Sequence, residues 1–457
     1  MGDLFISIRG RVLMNAEALN MTESVGNYVK HRRVPVISPT TYATYFVPAV
    51  SGESIAHGFQ EILANRADKD GLPVCNFCKR GIFLKSTTSE IIKEAFNIET
   101  EKVKIQSYER KQKHSGTSNE NTPEIQWLKS IINENITEDN IHEALEKAVI
   151  SRCTVEDVGG FMYAEKTFGG VNVGSFRRTS CFSVGYMIPA REAIESTVIE
   201  PQLHTRFVQG MSYSTQKEYQ QPYYVELSSA PYVFSFDLDT KYIGKLTFSY
   251  KKAGSLAIKD DERKKRICIS LDSLKHLLTE IMFGAKKTRF LPIIDWESIV
   301  IALSSGTWTT TSPLTANYIV NTLSKYNRVK NETDLFIYVN PVLFEDTTIY
   351  VKKRTEELLE SFYSSLDEFK KRLEERGDSN LLDWNEFKKR KLEEFLERKV
   401  DELVESRDLK YISAVQREYS KAKDKLKKMN IELYENFEEC VSDAIEKAKG
   451  RVECQQQ

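Results

Sequence analysis

The segment Ser228–Asp239 reads SSAPYVFSFDLD. Tyr232, Phe234, Phe236 and Leu238 alternate in it with Val233, Ser235, Asp237 and Asp239, a period of two that turns one row of large apolar side chains toward a core. A similar alternation opens the chain. Between Phe5 and Asn15, Ile6, Ile8, Val12 and Met14 share one face while Ser7, Arg9 and Arg11 share the other, so this strand is expected to expose a basic face.

Between and beyond these strands the period changes to that of a helix. In SGESIAHGFQEILANRA, Ile55, Phe59, Ile62 and Leu63 form one stripe, with Ser51 placed to cap the first turn. A second helix is predicted from about Asp261 to Phe283, with Ile267, Leu271, Leu274, Leu278 and Ile281 on its apolar stripe and Gly284 as its stop. PIIDWESIVIAL then supplies another strand. The order strand, helix, two central strands, helix, strand predicts an α+β fold of the ferredoxin-like or RNA-recognition-like kind.

Three regions interrupt that order. From about Asp68 to Arg152 the chain is polar, with helices predicted at Pro123 to Asn133 and Glu138 to Ile150 and a loop at KQKHSGTSNENTPE. DVGGFMYAEKTFGGVNVGSFRRTSCFSVGYMIPA carries paired glycines between short aromatic and β-branched runs, which predicts a β-hairpin with a mobile tip. Beyond about Val351 charge rises sharply and apolar residues recur at helical spacing, predicting a helical hairpin or small bundle that is either a solvated appendage or a protein-binding element.

Composition limits the partners. With 40% hydrophobic residues in a chain of 457, a substantial core is expected, in two or more structural units. Lys and Arg number 65 against 66 Asp and Glu, so an anion-binding surface has to come from local clustering and not from overall basicity. No stretch approaches the roughly 20 apolar residues of a membrane span, and seven scattered cysteines do not read as a secreted disulfide framework. A reducing cytoplasm is the expected setting, without membrane contact.

The densest cluster lies in MTESVGNYVKHRRVPV (Met21–Val36), read as a loop in which Asn27, Lys30, Arg32 and Arg33 either stand solvated or grip a phosphate chain. Further basic points are Arg177 with Arg178, His204 with Arg206, and Lys286, Lys287 and Arg289. The turn before the first helix offers Ser51 and Ser54, with His57 one turn on, either as an ordinary cap or as a phosphate-binding helix end. Cys75 and Cys78 have zinc-knuckle spacing, but a second pair is lacking. Further ligands would come from residues such as His114 or Cys153, and buried free thiols are the competing reading. No familiar catalytic motif is present.

Several stretches together resemble one family: ESVGNYVKHRRVPV, YFVPAVSGESIAHGFQ, GLPVC, VEDVGGFMYA, RRTSCFSVGYMIPA, QLHTRF, SSAPYVFSFDLD and KTRFLP. They are similar to the crRNA-binding backbone subunit of the archaeal type I-A CRISPR Cascade complex, a DevR-related group of the RAMP superfamily, over about residues 4 to 365. The resemblance implies a right-hand-like subunit with a palm in two parts (1–66 and 191–350), an inserted helical finger region (67–152), and a thumb hairpin with a palm strand (153–190). Residues 351–457, whose part beyond about 365 exceeds the family's usual length, are expected to form a charged helical hairpin or bundle. It further implies a non-catalytic antiviral protein that polymerises as a helical filament along crRNA, meets other Cascade subunits, and engages target DNA through the guide. Asn27, Lys30, His31, Arg32, Arg33, Ser51, Ser54, His57, His204 and Arg206 are then RNA contacts, with Arg177, Arg178, Lys286, Lys287 and Arg289 on the same surface. No cofactor is implied: a structural zinc at Cys75 and Cys78 rests on their spacing, and where relatives with the cysteine pair tend to continue into Lys-His this chain reads FLKST. Two rivals stay open: a RAMP ribonuclease that uses His31 or His204 as general base, and a DevR-like regulator that binds duplex DNA.

Overall fold

The computed structural model describes residues 3–98, 122–207, 220–249, 251–280, 283–315, 318–326, 328–340, 431–434 and 436–454, with isolated helical positions between 364 and 394. Strand β1 (Phe5–Glu17) leads into β2 (Met21–Val25) and β3 (Tyr28–His31), then β4 (Arg33–Ile37), β5 (Thr44–Pro48) and helix α1 (Gly52–Lys69). Met21–Val36 is thus strand, where a loop was expected. Gly26 takes φ +63° in a two-residue turn between the paired Val25 and Tyr28, a conformation open to glycine and suited to a tight hairpin.

The inserted region carries α2 (Ser89–Ala95), α3 (Pro123–Ile132), α4 (Ile141–Arg152) and α5 (Thr154–Gly159). The predicted loop at 111–121 and His114 lie outside the described residues. The hairpin follows as nested pairs. β6 (Met162–Tyr163) and β9 (Phe176–Arg177) form the outer one, β7 (Thr167–Phe168) and β8 (Val171–Asn172) the inner one. Its tip is packed, contrary to the mobile tip expected. Thr122 Oγ1 donates to the Gly169 carbonyl, Phe168 and Tyr163 are buried, and a Cβ at Gly169 would strike Ile125.

The chain continues through β10 (Phe182–Val184), β11 (Ile199–Phe207), β12 (Gln220–Asp239), α6 (Asp260–Glu280), β13 (Ile293–Ser304), α7 (Tyr318–Tyr326), β14 (Thr333–Val339), β15 (Ile431–Tyr434) and α8 (Phe437–Val452). Among the described residues nine strands form one sheet around β1, whose neighbours are β12 and β13, both antiparallel to it. Within it β13, β1, β12 and β10 stand side by side, and α1 packs against α6 on one face. Two β-α-β units therefore interleave around β1 and β12.

The alternation read from sequence explains that face. Ile6, Ile8, Val12 and Met14 of β1 and Tyr232, Phe234, Phe236 and Leu238 of β12 are all buried with Ile55, Phe59 and Leu63 of α1 and Leu271 and Leu274 of α6. Each such side chain contributes about 1.5–3 kcal/mol on leaving water. Gly10 has no Cβ because one would lie 2.8 Å from the Trp296 ring.

The opposite face is also covered, by α7: Tyr318, Ile319, Leu323 and Tyr326 pack on Val300, Ala302, Leu335 and Ile337. The basic exposed face expected of β1 is consequently absent. Arg9 forks onto Asp237 at 2.7 and 2.8 Å, and buried Arg11 pairs with Glu297 at 3.0 Å and with Glu192. Neighbouring strands supply the acids that absorb both cations.

The C-terminal reading needs a similar correction. Most of 341–430 lies outside the described residues, but β15 pairs in parallel with β14, and Cys440, Val441, Ala444, Ile445 and Ala448 of α8 are buried in the main core. Phe437 stacks on Trp296 with centroids 4.8 Å apart. A disulfide joins Cys268 of α6 to Cys454, and the other five cysteines are free and buried. That part of the extension is therefore structural. Among the described residues no helix is long and apolar enough to cross a membrane.

Candidate nucleic-acid interface

The short segment Leu19–Asn20, just beyond β1, organises the exposed basic residues. The Asn20 carbonyl accepts from Arg32 N–H at 2.8 Å, Asn20 Oδ1 accepts from Ser51 N–H at 3.1 Å, and the Leu19 carbonyl accepts from Ala285 N–H at 2.7 Å. Three stretches far apart in sequence thus meet at one edge. They are the strands around Lys30–Arg33, the N-terminus of α1, and the turn after α6 that carries Lys286, Lys287 and Arg289.

The hairpin β2–β3 is held in place by an acid. Buried Glu226 of β12 accepts from His31 N–H at 2.7 Å, Arg33 Nη2 at 2.8 Å and Tyr28 Oη at 3.0 Å. Burial first, then the Glu226 hydrogen bond, raises the Tyr28 pKa. The Asn27 amide donates to the Pro222 carbonyl, and Lys30, half-buried, reaches Glu23 at 3.3 Å. Arg33 is 47% exposed along its side chain, and Arg32 Nε is buried without a hydrogen-bond partner.

Across β12 from the hairpin, His204 of β11 stacks on Tyr223 at 5.3 Å and meets Phe290 edge-on at 5.1 Å, while Arg289 Nη1 donates to Tyr223 Oη at 3.1 Å. Arg206 lies opposite Gln221 in the β11–β12 register. An aromatic platform with a guanidinium beside it can stack on a base or pair with a phosphate. Tyr223 and Phe290 were not singled out from sequence, although both sit in runs rich in aromatic and basic residues.

At the head of α1, Ser51 is buried and accepts from Ser54 N–H at 3.3 Å; it is a working N-cap. Gly52 lets this end lie against β10, since a Cβ there would be 2.7 Å from the Val184 carbonyl. His57 is exposed and touches the Phe83 ring at 5.0 Å.

Two predicted contacts are corrected. His31 is buried: Nε2 lies 2.7 Å from Glu17 Oε1 and Nδ1 lies 2.9 Å from the Arg32 carbonyl, so its ring fastens the hairpin to β1 and is not presented to a ligand. Burial lowers the His31 pKa, but hydrogen bonding to Glu17 and its charge outweigh this and hold it above the ordinary value. Arg178 is also internal. It donates to Glu146 at 2.9 Å, to Asp157 at 2.6 Å and to the Lys245 and Tyr242 carbonyls, each at 2.8 Å. Arg177, its neighbour, is exposed on β9 opposite Met162, a strand pair separate from the sheet that carries the Leu19–Asn20 junction.

Cys75 and Cys78 lie between α1 and α2, and Cys153 joins them from the corner between α4 and α5, the three Sγ atoms being within 4.8 Å of one another. Hydrogen bonds from the Cys153 and then the Cys78 thiol lower the pKa of the Cys75 thiol. Glu156 accepts from Cys78 Sγ at 3.0 Å, and burial, then the Cys153 charge, push its carboxyl up to about 8.

Comparison with known proteins accords with the family resemblance. Residues 8–323 match the family described as CRISPR-associated negative auto-regulator DevR/Csa2. A CRISPR-associated protein Cas7/Csa2 of Saccharolobus solfataricus is 30% identical over 357 residues, which cover 77% of this chain and 93% of that protein. An aCascade subunit Cas7/Csa2 of the same organism is 32% identical over 324 residues, covering 70% and 86%. Two solved chains from CRISPR RNA-guided surveillance complexes, one of them pre-nicking, align with TM-scores of 0.39 and 0.35. They are 9% and 8% identical, each covers 73% of this chain, and 92% and 88% of those chains are covered. With a family match over more than half its length and relatives aligned nearly end to end, the chain belongs to the DevR/Csa2 family of CRISPR-associated proteins.

Proposed function

We propose that this protein is a non-catalytic, guide-RNA-binding subunit of a type I-A Cascade complex. It polymerises along crRNA in the cytoplasm as a helical backbone and presents the guide to target DNA. The observation that carries the reading is the convergence at Leu19–Asn20 of the Lys30–Arg33 strands, the head of α1 and the Arg289 turn. A guide must be held by its backbone so that its base edges stay free to pair, and cationic side chains with helix N–H groups suit that demand.

In this reading the interleaved β-α-β core is a ferredoxin-like palm, 67–152 the fingers and 153–190 the thumb. Lys30, Arg32, Arg33, Ser54, His57, His204, Arg206, Lys286, Lys287 and Arg289 track the RNA, with Asn27 and Ser51 shaping the loop and helix end. Ile37, Tyr42 and Phe46, strongly exposed on the β4–β5 ribbon, support contact with a neighbouring copy. The ribonuclease alternative loses one of its two bases, because both ring nitrogens of His31 are engaged inside the protein.

The test is purification, sequencing of bound nucleic acid and electron microscopy. Helical assemblies that contain short guide-sized RNA are expected. RNA-free monomers without RNA affinity, tight selective binding to one duplex DNA site, or repeat-RNA cleavage abolished by His204→Ala would each overturn the proposal.

A further inference from the structure

The cluster of Cys75, Cys78 and Cys153 is the part of the molecule that the RNA reading leaves unused. Cys153 Sγ and Cys78 Sγ are 3.7 Å apart. That separation is far longer than the disulfide bond of about 2.05 Å. It matches the edge of about 3.8 Å in a tetrahedron built on Zn–S bonds of about 2.3 Å. The Cys75 N–H donates to Cys153 Sγ at 3.4 Å, the kind of backbone contact that supports a thiolate. All three side chains are buried.

Glu156 stands against one member of the triad, Cys78, and would reach a fourth position by turning its carboxylate toward the other two thiols. Glu156 Oε1 is 3.0 Å from Cys78 Sγ and accepts from Leu84 N–H at 2.9 Å. Its second oxygen, Oε2, is buried and has no hydrogen-bond partner. A buried carboxyl oxygen left without a partner is costly, and a cation beside it removes that cost. Lys85 is the nearby fixed cation, but its ammonium is spent on the Gly159 and Gly160 carbonyls at 2.6 and 3.3 Å.

We propose that Cys75, Cys78, Cys153 and Glu156 form a structural zinc site. It clamps the turn after α1 to the α4–α5 corner and thereby closes the base of the inserted helical region. Thiolates select zinc over hard cations such as magnesium, and four protein ligands leave no open position for catalysis. Binding releases the thiol protons and fixes two segments 78 residues apart, so the metal adds to folding stability. The site is independent of the RNA-binding proposal and survives its failure.

The experiment uses the full chain, expressed with added zinc and passed through chelator-treated buffer. About one zinc per chain is expected by mass spectrometry, bound through about three sulfurs at about 2.3 Å by X-ray absorption. Cobalt substitution should give thiolate-to-metal charge-transfer absorption, and mercurial titration of the thiols should release the metal and lower the thermal midpoint by about 5 °C or more. Cys153→Ser should lose the metal and Cys440→Ala should keep it, while Glu156→Gln should keep the charge-transfer bands and shift the visible ones. If Cys153→Ser fails to fold, the unaltered chain's cobalt and X-ray spectra still decide. A metal-free chain, a Cys75–Cys78 disulfide after native purification, or zinc bound without sulfur would overturn the proposal.

Discussion

Arg32-Arg33 and Arg177-Arg178 are the same dipeptide in sequence and differ in what surrounds them. Around Arg178 the fold gathers Glu146 and Asp157, and Asp157 also takes Arg266 Nη1 at 2.9 Å and the Gly244 N–H, so two guanidinium groups are neutralised in the interior. Around Arg33 there is one acid, Glu226, already shared with His31 N–H and Tyr28, and the guanidinium remains half in solvent. The count of local acids, not of arginines, separates a cation that holds the fold from one free to meet a phosphate.

Breaking the interior cluster should have the largest effect. Arg178→Ala leaves Asp157 and Glu146 short of a buried counter-charge, a loss of about 3–5 kcal/mol. Urea denaturation should show it, while the folded fraction binds RNA with unchanged affinity. Loss of RNA binding with stability intact would reverse the assignment of the two doublets.

Replacing Lys30, Arg32 and Arg33 together by Ala should do the opposite. Unfolding free energy should fall by less than in Arg178→Ala, because Lys30–Glu23 is a surface pair and buried Glu226 keeps its bonds from the His31 N–H and Tyr28 when Arg33 is gone. The slope of log affinity against log salt should become shallower by about 2, since each phosphate of a single strand that is no longer neutralised takes away about 0.7. An unchanged slope removes this edge from the interface.

The junction behind the edge carries its own pH signature. The folded pKa of His31 is raised, so protonated His31 contributes stability that is whole below its unfolded value of about 6.5 and is lost as pH rises through the folded value. Denaturation midpoints should fall over that window, and Glu17→Gln should flatten the fall. Smaller still is Ser51→Ala, which removes the N-cap of α1 at a cost of about 1 kcal/mol.

How much of this was legible in sequence depends on the range of the interactions involved. The buried rows of β1 and β12 and the stripes of α1 and α6 follow from local periodicity, and their described members are in the core, Ile281 lying outside the described residues. The hairpin at Gly26-Asn27 was also legible as a two-residue turn between β-branched and aromatic residues, but the surrounding charge favours a loop. Charge fates were not legible. Arg11, Arg178 and His31 are neutralised by Glu297, Asp157 and Glu17, and for Arg11 the acid comes from a strand nearly three hundred positions away. Likewise Cys75 and Cys78 could be paired with Cys153 only as one option among several, and α8 could not be told from a solvated helix without knowing that β14 leaves an edge for β15.

Tyr223→Phe makes the finest cut between the two kinds of arginine. The substitution keeps the ring stacked on His204 and removes the hydroxyl that accepts from Arg289 Nη1. Removing a neutral acceptor from an exposed cation costs about 0.5 kcal/mol, the low end for a hydrogen bond, so folding stability should hardly move. If Arg289 is oriented toward a phosphate by this bond, RNA affinity should drop about two- to fivefold while the salt slope stays constant, because the charge remains and only its position is released. A drop that vanishes in the Arg289→Ala background would tie the effect to that guanidinium, as a double-mutant cycle requires. An affinity loss of the same size in both backgrounds would instead assign the hydroxyl its own contact with the RNA and leave Arg289 outside the edge.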